Sequence, residues 1–447
     1  MDLRKSRPIL FLLAGLGLWA LMLPEYAQAV PSFARQTGVS CYTCHTVIME
    51  LTPFGRQFKL TGYTMSKGSK PYEPFPPLAA TVQGSYTEQK GLRNRLDPFD
   101  DAPDAKFNLP QQASLFYGGR IYDGLGAFAQ LSYDGVANQL FLDNTDIRFA
   151  GTISPGGKSL VYGITVNNNP TVEDVWNSTP AFGFPFATSA VALTPAAGTI
   201  VDGVLSQQVG GIGIYGFWNN LIYADFSLYR SNNKGITRPL GAGTTIDTVV
   251  DGAVPYWRVA LQRQWNQHSF MLGTYGLVAN IFPGGASSGA TDKFTDIAVD
   301  AQYQFISSRH LLSLRSTWIH EKQDRGESFS QGLSASDSDT LITFKISGSY
   351  YYRSSFGTIG GALGYFSTTG DTDTLLYAPT PLTGSATGSP DSRGYILEAD
   401  YLPWDKLKIS LQYIIYDKFN GVRTNYDGFG RNASDNNTFY FLLWLAI

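Results

Sequence analysis

Most of the chain alternates polar and apolar residues with the two-residue period of a β-strand. Residues 406–413 alternate without a break, and residues 296–305 do so almost completely. A strand of this kind has one face against apolar surroundings and the other against water. After residue 78, such runs predict sixteen strands, near 79–90, 110–121, 125–134, 139–151, 157–168, 208–217, 220–231, 253–264, 268–281, 293–306, 309–323, 340–352, 355–367, 393–402, 406–417 and 436–447.

The connections between these runs are alternately short and long. Tight turns are predicted near 120–126, 154–157, 218–219, 266–267, 307–308, 353–354 and 403–405, and long loops near 91–109, 169–207, 232–252, 282–292, 324–339, 368–392 and 418–435. The connection at 135–138 is the one exception, because it is short at a place where the alternation predicts a long loop. Outer-membrane barrels have short periplasmic turns and longer external loops. We therefore predict an all-β fold, a transmembrane β-barrel of about 16 strands, with both of its ends in the periplasm.

The connection near 169–207 is the longest of these loops, and it is rich in Ala, Pro, Phe and Thr. Two interpretations are open for it. In the first, it folds into the barrel and narrows the lumen. In the second, it lies outside as an ordinary external loop.

The composition agrees with a β-barrel that has one face towards lipid and the other towards water. Of 447 residues, 15% are charged and 14% aromatic, whereas ordinary soluble domains are ~25% charged. The formal net charge of −3 argues against nucleic acid as a partner, because that partner requires a basic face. We therefore expect outer-membrane lipid around the barrel and no nucleic acid.

The N-terminus has the features of an export signal. Basic residues precede an apolar stretch at 9–23, and Ala27 and Ala29 form a small-x-small cleavage site. The apolar stretch is too short for a membrane span, which requires about 20 residues. The pattern predicts a signal peptide over residues 1–29, which leaves a segment at 30–77 and the barrel at 78–447.

The segment 30–77 contains both cysteines of the chain, in the motif Cys41-Tyr42-Thr43-Cys44-His45. C-x-x-C-H is the attachment signature of c-type haem, in which two thiols form thioethers and the histidine becomes the proximal iron ligand. A zinc site needs two further ligands nearby, a thioredoxin-like pair needs a βαβ context, and a disulfide leaves His45 unexplained. The motif therefore predicts one covalent haem c.

A segment this short cannot wrap a haem and also form its own core. We expect a small α-helical segment that ends in a stiff proline-rich linker at 71–77, with the rest of the haem pocket supplied from elsewhere in the chain. Apolar residues close to the motif are candidates for packing on the ring. They are Phe54 and Phe58, together with Phe33, Leu51 and Leu60.

The distal iron ligand is less directly indicated. A Met opposite the His raises the haem potential, and Met65 is the first candidate because the chain can fold back from it over the ring. Met271 is the alternative, because it is expected to face the lumen. Met49 is set aside, because one helical turn after His45 it would lie on the proximal side. A five-coordinate iron or a different ligand stays open.

Residues 30–38 (VPSFARQTG), the C-x-x-C-H motif and residues 51–60 (LTPFGRQFKL) together resemble the monohaem cytochrome–porin fusions of the bacterial outer membrane. This family includes the iron-oxidising outer-membrane cytochromes c. The resemblance implies an Fe(II):cytochrome c oxidoreductase activity, with electrons taken from an extracellular donor, typically Fe(II). The electrons would pass through the haem to a periplasmic electron carrier. The haem segment would lie as a plug in the periplasmic half of the pore.

Two other functions are compatible with the same sequence. One is a porin whose haem segment gates the channel or senses a signal, and the other is a structural component that docks a separate multihaem partner. The first long loop contains a cluster of acidic residues whose hard oxygen atoms suit Fe(II) or simply keep the loop solvated. They are Asp97, Asp100, Asp101 and Asp104.

Overall fold

The computed structural model describes residues 31–66, 77–92, 104–232 and 248–447. The predicted signal peptide, most of the proline-rich linker and three of the four loop aspartates lie outside these ranges. Among the helices of the described residues, none has the length and apolar character needed to cross a membrane.

Residues 31–66, which we call the plug, form three short helices and a hairpin. The elements are α1 (Pro31–Thr37), α2 (Cys41–Cys44), β1 (His45–Val47), β2 (Glu50–Leu51) and α3 (Pro53–Leu60). The helical prediction for this segment is therefore right except at the hairpin, where β1 and β2 pair antiparallel. The first strand of the hairpin forms because Thr46 and Val47 are β-branched and favour extended backbone.

Sixteen antiparallel strands follow and close into one barrel, in which each strand pairs with its neighbours in sequence and the last pairs with the first. All sixteen predicted runs are confirmed. The strands are β3 (Leu78–Gln89), β4 (Ala105–Tyr122), β5 (Leu125–Asp134), β6 (Gln139–Ile153), β7 (Leu160–Asn167), β8 (Val209–Trp218), β9 (Ile222–Ser231), β10 (Val254–Trp265), β11 (His268–Ile281), β12 (Asp292–Ile306), β13 (His310–Asp324), β14 (Ser338–Ser354), β15 (Gly357–Gly370), β16 (Ser392–Trp404), β17 (Leu407–Lys418) and β18 (Thr438–Ala446).

The two faces of this wall differ in polarity, as the alternation predicts. Outward positions carry exposed apolar side chains such as Ile212, Ile214 and Leu363. Inward positions carry buried polar and charged side chains such as Arg148 and Lys408. An apolar outer face around a polar interior is the arrangement of a porin-like barrel of the bacterial outer membrane.

Short turns occupy one end of the barrel and long loops the other. Asn219 and Asn266 adopt positive φ angles of 54° and 49° in two of the short turns, as tight hairpin turns demand. The first residues of β3 and the last residues of β18 pair at this same end. We call it the short-turn end. The long-loop end carries a short helix, α4 (Gly326–Ser330), between β13 and β14.

Two segments fill the lumen. The plug lies at the short-turn end, where the Gln36 side chain accepts a hydrogen bond from Arg120 N of 2.8 Å. The long connection between β7 and β8, residues 168–208, folds inward across the barrel and is called the inner loop. Its Trp176 is fully buried, and its Ser189 bonds to Thr87 of β3 at 2.7 Å. The inward interpretation of this loop is therefore the right one.

Candidate haem site

The C-x-x-C-H motif forms one helical turn followed by a strand. Cys41 and Cys44 begin and end α2, and His45 leaves the helix with extended backbone (φ −127°, ψ 141°). Residues three apart on a helix lie on the same face, so the turn presents both thiols to one side. Neither cysteine is in a disulfide.

Helix α3 packs closely on this turn. Thr52 caps α3 by accepting a hydrogen bond from Gly55 N, and its hydroxyl donates to the carbonyl of Thr43 at 2.6 Å. A Cβ at Gly55 would collide with the carbonyl of Cys44. Glycine is therefore required at position 55 because the helix backbone touches the motif.

The motif lines an apolar cavity inside the barrel. Cys41, Cys44 and His45 border about 770 Å³ of empty space, which includes a part open to solvent. The plug contributes Phe33, Leu51 and Phe58, the barrel wall contributes Phe128, and the inner loop contributes Phe182. The expectation that other parts of the chain complete the pocket is thus met by a strand and by the inner loop.

A second cavity, of about 1080 Å³, adjoins the first and shares Cys41, His45, Met49 and Phe128 with it. It continues towards β18 at Trp444. The motif therefore lies between two connected spaces of the lumen.

The surroundings of His45 fit an iron ligand. Its Nδ1 is buried and has no hydrogen-bond partner among the described residues. Burial lowers the pKa of the imidazole to about 4, against the opposing charge of Glu50, so the ring is neutral at physiological pH. A neutral imidazole is the form that binds a metal. With two thiols on the same cavity and a mostly apolar lining, the residues fit a covalently held haem.

Among the residues predicted to pack on the ring, Phe33, Leu51 and Phe58 line this cavity. Phe54 lies in the first turn of α3, is 36% exposed and lines a different cavity beside Gln57 and Trp176. Leu60 is fully buried in a cluster of wall residues. The structure thus places Phe54 and Leu60 away from the two cysteines.

Buried polar contacts hold the plug to the wall. Arg56 donates to Gln304 at 2.8 Å and to Ser269 at 2.9 Å, and Glu50 forms a 2.9 Å ion pair with Arg315. The period-two pattern predicts that these wall side chains face the lumen, but it contains no signal for their partners in the plug.

Lys59 and Tyr63 make a second set of plug contacts. The Lys59 ammonium donates to the carbonyl of Val172 in the inner loop at 2.5 Å and lies 3.8 Å from Asp146, to which the Tyr63 hydroxyl donates at 2.6 Å. Burial lowers the pKa of Lys59 to about 8, although the charge of Asp146 opposes the shift.

The inner loop is fixed to the same part of the wall. Glu173 pairs with Arg148 at 3.0 Å, and Asp174 pairs with Arg258 at 3.1 Å. The indole N–H of Trp176 donates to the wall at 2.7 Å. These buried contacts join the plug and the inner loop to strands β6 to β13.

On the opposite part of the wall the lumen is open. A space of about 1660 Å³ lies between the inner loop and strands β13 to β17. Hydroxyl side chains such as Thr343 and Ser347 line it, together with Lys345. Asn177 borders both this space and the cavity of the motif, so the two meet at the inner loop.

The methionines fall in three different places. Met65 lines neither of the cavities that His45 borders, and its carbonyl accepts a 2.9 Å hydrogen bond from Gln36. Met271 faces inward and is 1% exposed, in a cluster with Leu60 and Trp176. The distal ligand stays a prediction. The reason for setting Met49 aside is wrong, because the helix ends at Cys44 and Met49 lies in the turn of the β1–β2 hairpin.

No family model matches this chain, and no curated protein matches it. The haem-segment resemblance to cytochrome–porin fusions therefore stays a prediction.

Several solved outer-membrane proteins have similar barrels. The anion-selective porin from Comamonas acidovorans has 13% identity and a TM-score of 0.45, over 83% of this chain and 98% of that one. Pseudomonas putida OprB has 14% identity and a TM-score of 0.45, over 83% and 94%. Salmonella typhi OmpF in complex with daunomycin has 11% identity and a TM-score of 0.44, over 83% and 97%. The similarity concerns the barrel alone.

Proposed function

We propose that this barrel is an outer-membrane electron-transfer protein with one haem c on Cys41 and Cys44 and with His45 as an iron ligand. Its donor is a small extracellular reductant, Fe(II) by the resemblance of the plug, and its acceptor is a soluble periplasmic carrier. The observation that carries the proposal is the place of the C-x-x-C-H turn, which borders an apolar cavity lined by plug, wall and inner loop.

The bound haem would supply one-electron chemistry, by accepting an electron from the donor and giving it to the carrier. The residues of the chain exclude water from its faces, because the cavity is lined by phenylalanines of three separate segments. They also set its potential, since burial and the ligand environment are the means by which a protein tunes a haem.

The firm attachment of the plug favours electron transfer over gating. A gate would have to leave the lumen, and it would break the contacts of Glu50, Arg56 and Lys59 at once. A permanent plug suits a redox group that must stay in one place.

The short-turn end offers an exit for the electron. Tyr42 follows the first cysteine, and its ring lies 4.4 Å from the guanidinium of Arg353 in the β14–β15 turn region. Arg35 on α1 is exposed as well, and its guanidinium donates to the carbonyl of Leu78 at 2.6 Å. We expect the carrier to bind at this end, because it is the end at which the motif approaches the periplasm.

The test is anaerobic mixing of the purified protein with Fe(II), with the absorption of the reduced haem as the readout. The wild type should carry haem on a denaturing gel and show the reduced bands after mixing. The double variant Cys41→Ala/Cys44→Ala should show neither, whereas Thr37→Ala, which lines the same cavity, should behave like the wild type. A wild type without covalent haem, or with haem that dithionite reduces and no external donor does, would contradict the proposal.

A second candidate function is a channel for small solutes, and one observation favours it. The hydroxyl-lined space along β13 to β17 leaves part of the lumen free of protein. Swelling of proteoliposomes in sugars of increasing size measures this activity. Solute flux without donor-dependent haem reduction would favour the channel, and reduction without flux would favour electron transfer.

A further inference from the structure

The hairpin after the motif turns at Ile48 and Met49, directly between the paired residues Val47 and Glu50. Met49 has a φ of 79°, a region that turns usually assign to Gly or Asn. A non-glycine residue held there costs on the order of 1 kcal/mol or more. The chain thus has a long thioether side chain at a turn position where glycine or asparagine is usual.

The position of Met49 indicates a role for this side chain. Its side chain lines both cavities of the motif, and the other residues that do so are Cys41, His45 and Phe128. Met65 and Met271 line neither cavity. Among the described methionines, only Met49 therefore faces the space in which a group held by the two thiols would lie.

Other side chains on the apolar cavity that could bind a metal already have polar partners. Lys59 donates to the inner loop, the Tyr63 hydroxyl donates to the wall, and the Asn177 carbonyl oxygen accepts from β2. No hydrogen bond engages the sulfur of Met49 among the described residues. Its sulfur is the available ligand atom on this lining.

We propose that the thioether of Met49 is the second axial ligand of the haem iron, with His45 as the first. The inference rests on the proposed function, because it requires the covalent haem. Met–His ligation raises the potential of a c-type haem, which an acceptor of electrons from a weak reductant needs. The hairpin is the device that supplies both ligands from one short stretch of chain.

A packing role is the alternative to be separated from ligation. Met49 also packs, with Ile48 and Phe186, against a cluster of β18 side chains that includes Trp444. Leucine keeps most of the apolar volume of methionine and removes the sulfur, so Met49→Leu preserves packing and abolishes ligation. Met65→Leu is the matched control, because Met65 contributes only its backbone carbonyl to a described hydrogen bond.

The experiment compares the oxidised spectra and the redox titrations of the wild type, Met49→Leu and Met65→Leu. The weak sulfur-to-iron charge-transfer band at the red end of the spectrum should be present in the wild type and in Met65→Leu and absent in Met49→Leu. The potential should fall in Met49→Leu alone, while its haem content stays that of the wild type. A third variant, Met49→His, should give the spectrum of a six-coordinate bis-histidine haem with a lower potential.

Three results would overturn the assignment. They are a charge-transfer band that persists in Met49→Leu, a wild type without the band, and a Met49→His spectrum identical to that of Met49→Leu. None of these results affects covalent haem attachment or its reduction by Fe(II). Each would therefore contradict Met49 as an iron ligand without contradicting the proposed function. A wild type without covalent haem would refute both.

Discussion

The two sides of the lumen are built differently. On strands β6 to β13, which we call the fastened side, buried ion pairs join the wall to the plug and the inner loop, as with Arg148 and Glu173 or Arg258 and Asp174. On strands β14 to β17, the open side, hydroxyl groups face an empty space. The ion pair of Lys345 with Asp202 there leaves the lysine side chain 41% exposed.

The difference explains how one barrel can be filled on one side and keep an empty space on the other. Buried charges are tolerated only when they are paired and hydrogen-bonded, and on the fastened side several of the partners belong to the inserted segments. On the open side the buried charges are paired within the wall, as with Lys408 and Glu398, so they do not need the inserted segments against them. The inserted segments are therefore fixed in position on the fastened side, while the space on the open side borders Asn177, which also lines the cavity of the motif.

The largest effect is expected from breaking the fastened side at Arg258, which bridges Asp174 and Asp300 at 3.1 and 2.6 Å. Arg258→Met leaves both carboxylates buried without this partner, and the free energy of unfolding should fall by about 3–5 kcal/mol. Urea titration of the barrel in detergent measures it. Arg263→Met, an exposed arginine of the same strand, is the control, and equal midpoints for the two variants would contradict the comparison.

A smaller effect should appear in the pH dependence of stability. The pKa of Lys59 is about 8 in the folded chain and about 10.4 in the unfolded chain. Between these values the unfolded chain binds more protons, so this residue makes stability rise with pH, by about 1–3 kcal/mol over the window.

Urea titrations at pH 7 to 10 test this for the wild type and Lys59→Met. The variant should lose the rise that is due to residue 59, and the difference between the two curves removes the contribution of other titrating groups. Parallel curves would show that Lys59 is not buried as a charged group on the fastened side.

The smallest effect is expected on the open side. Lys345→Met removes an ion pair whose lysine is well exposed, and such pairs contribute about 0–1 kcal/mol. The unfolding midpoint should stay close to that of the wild type. A loss as large as that of Arg258→Met would mean that the open side is held as firmly as the fastened side.

The wall of the barrel could be predicted from the sequence because strand alternation is a local signal. Strands β5 and β11 begin and end where the pattern places them, at 125–134 and 268–281. The contacts between the inserted segments and the wall could not be predicted. Arg56 meets Gln304 across 248 positions of the chain, and alternation tells which residues face inward but not which of them meet.

The candidate site was predicted in part for the same reason. Adjacent residues define the C-x-x-C-H motif, so its three functional side chains are visible in the sequence. The place of Met49 on the cavity cannot be predicted if the helix is taken to continue beyond Cys44. The β-branched residues Thr46 and Val47 indicate a strand instead, and the hairpin that follows turns Met49 towards the cavity.

The pairing of β18 with β3 has a consequence for the order of assembly. The barrel closes only when its last strand meets the strand that directly follows the plug. Cys41 is 4% exposed once the wall is complete, so a group as large as a haem has to be joined to it earlier. Under the proposed function, the haem therefore has to be attached to the plug before the final strand pairs with β3 and closes the barrel.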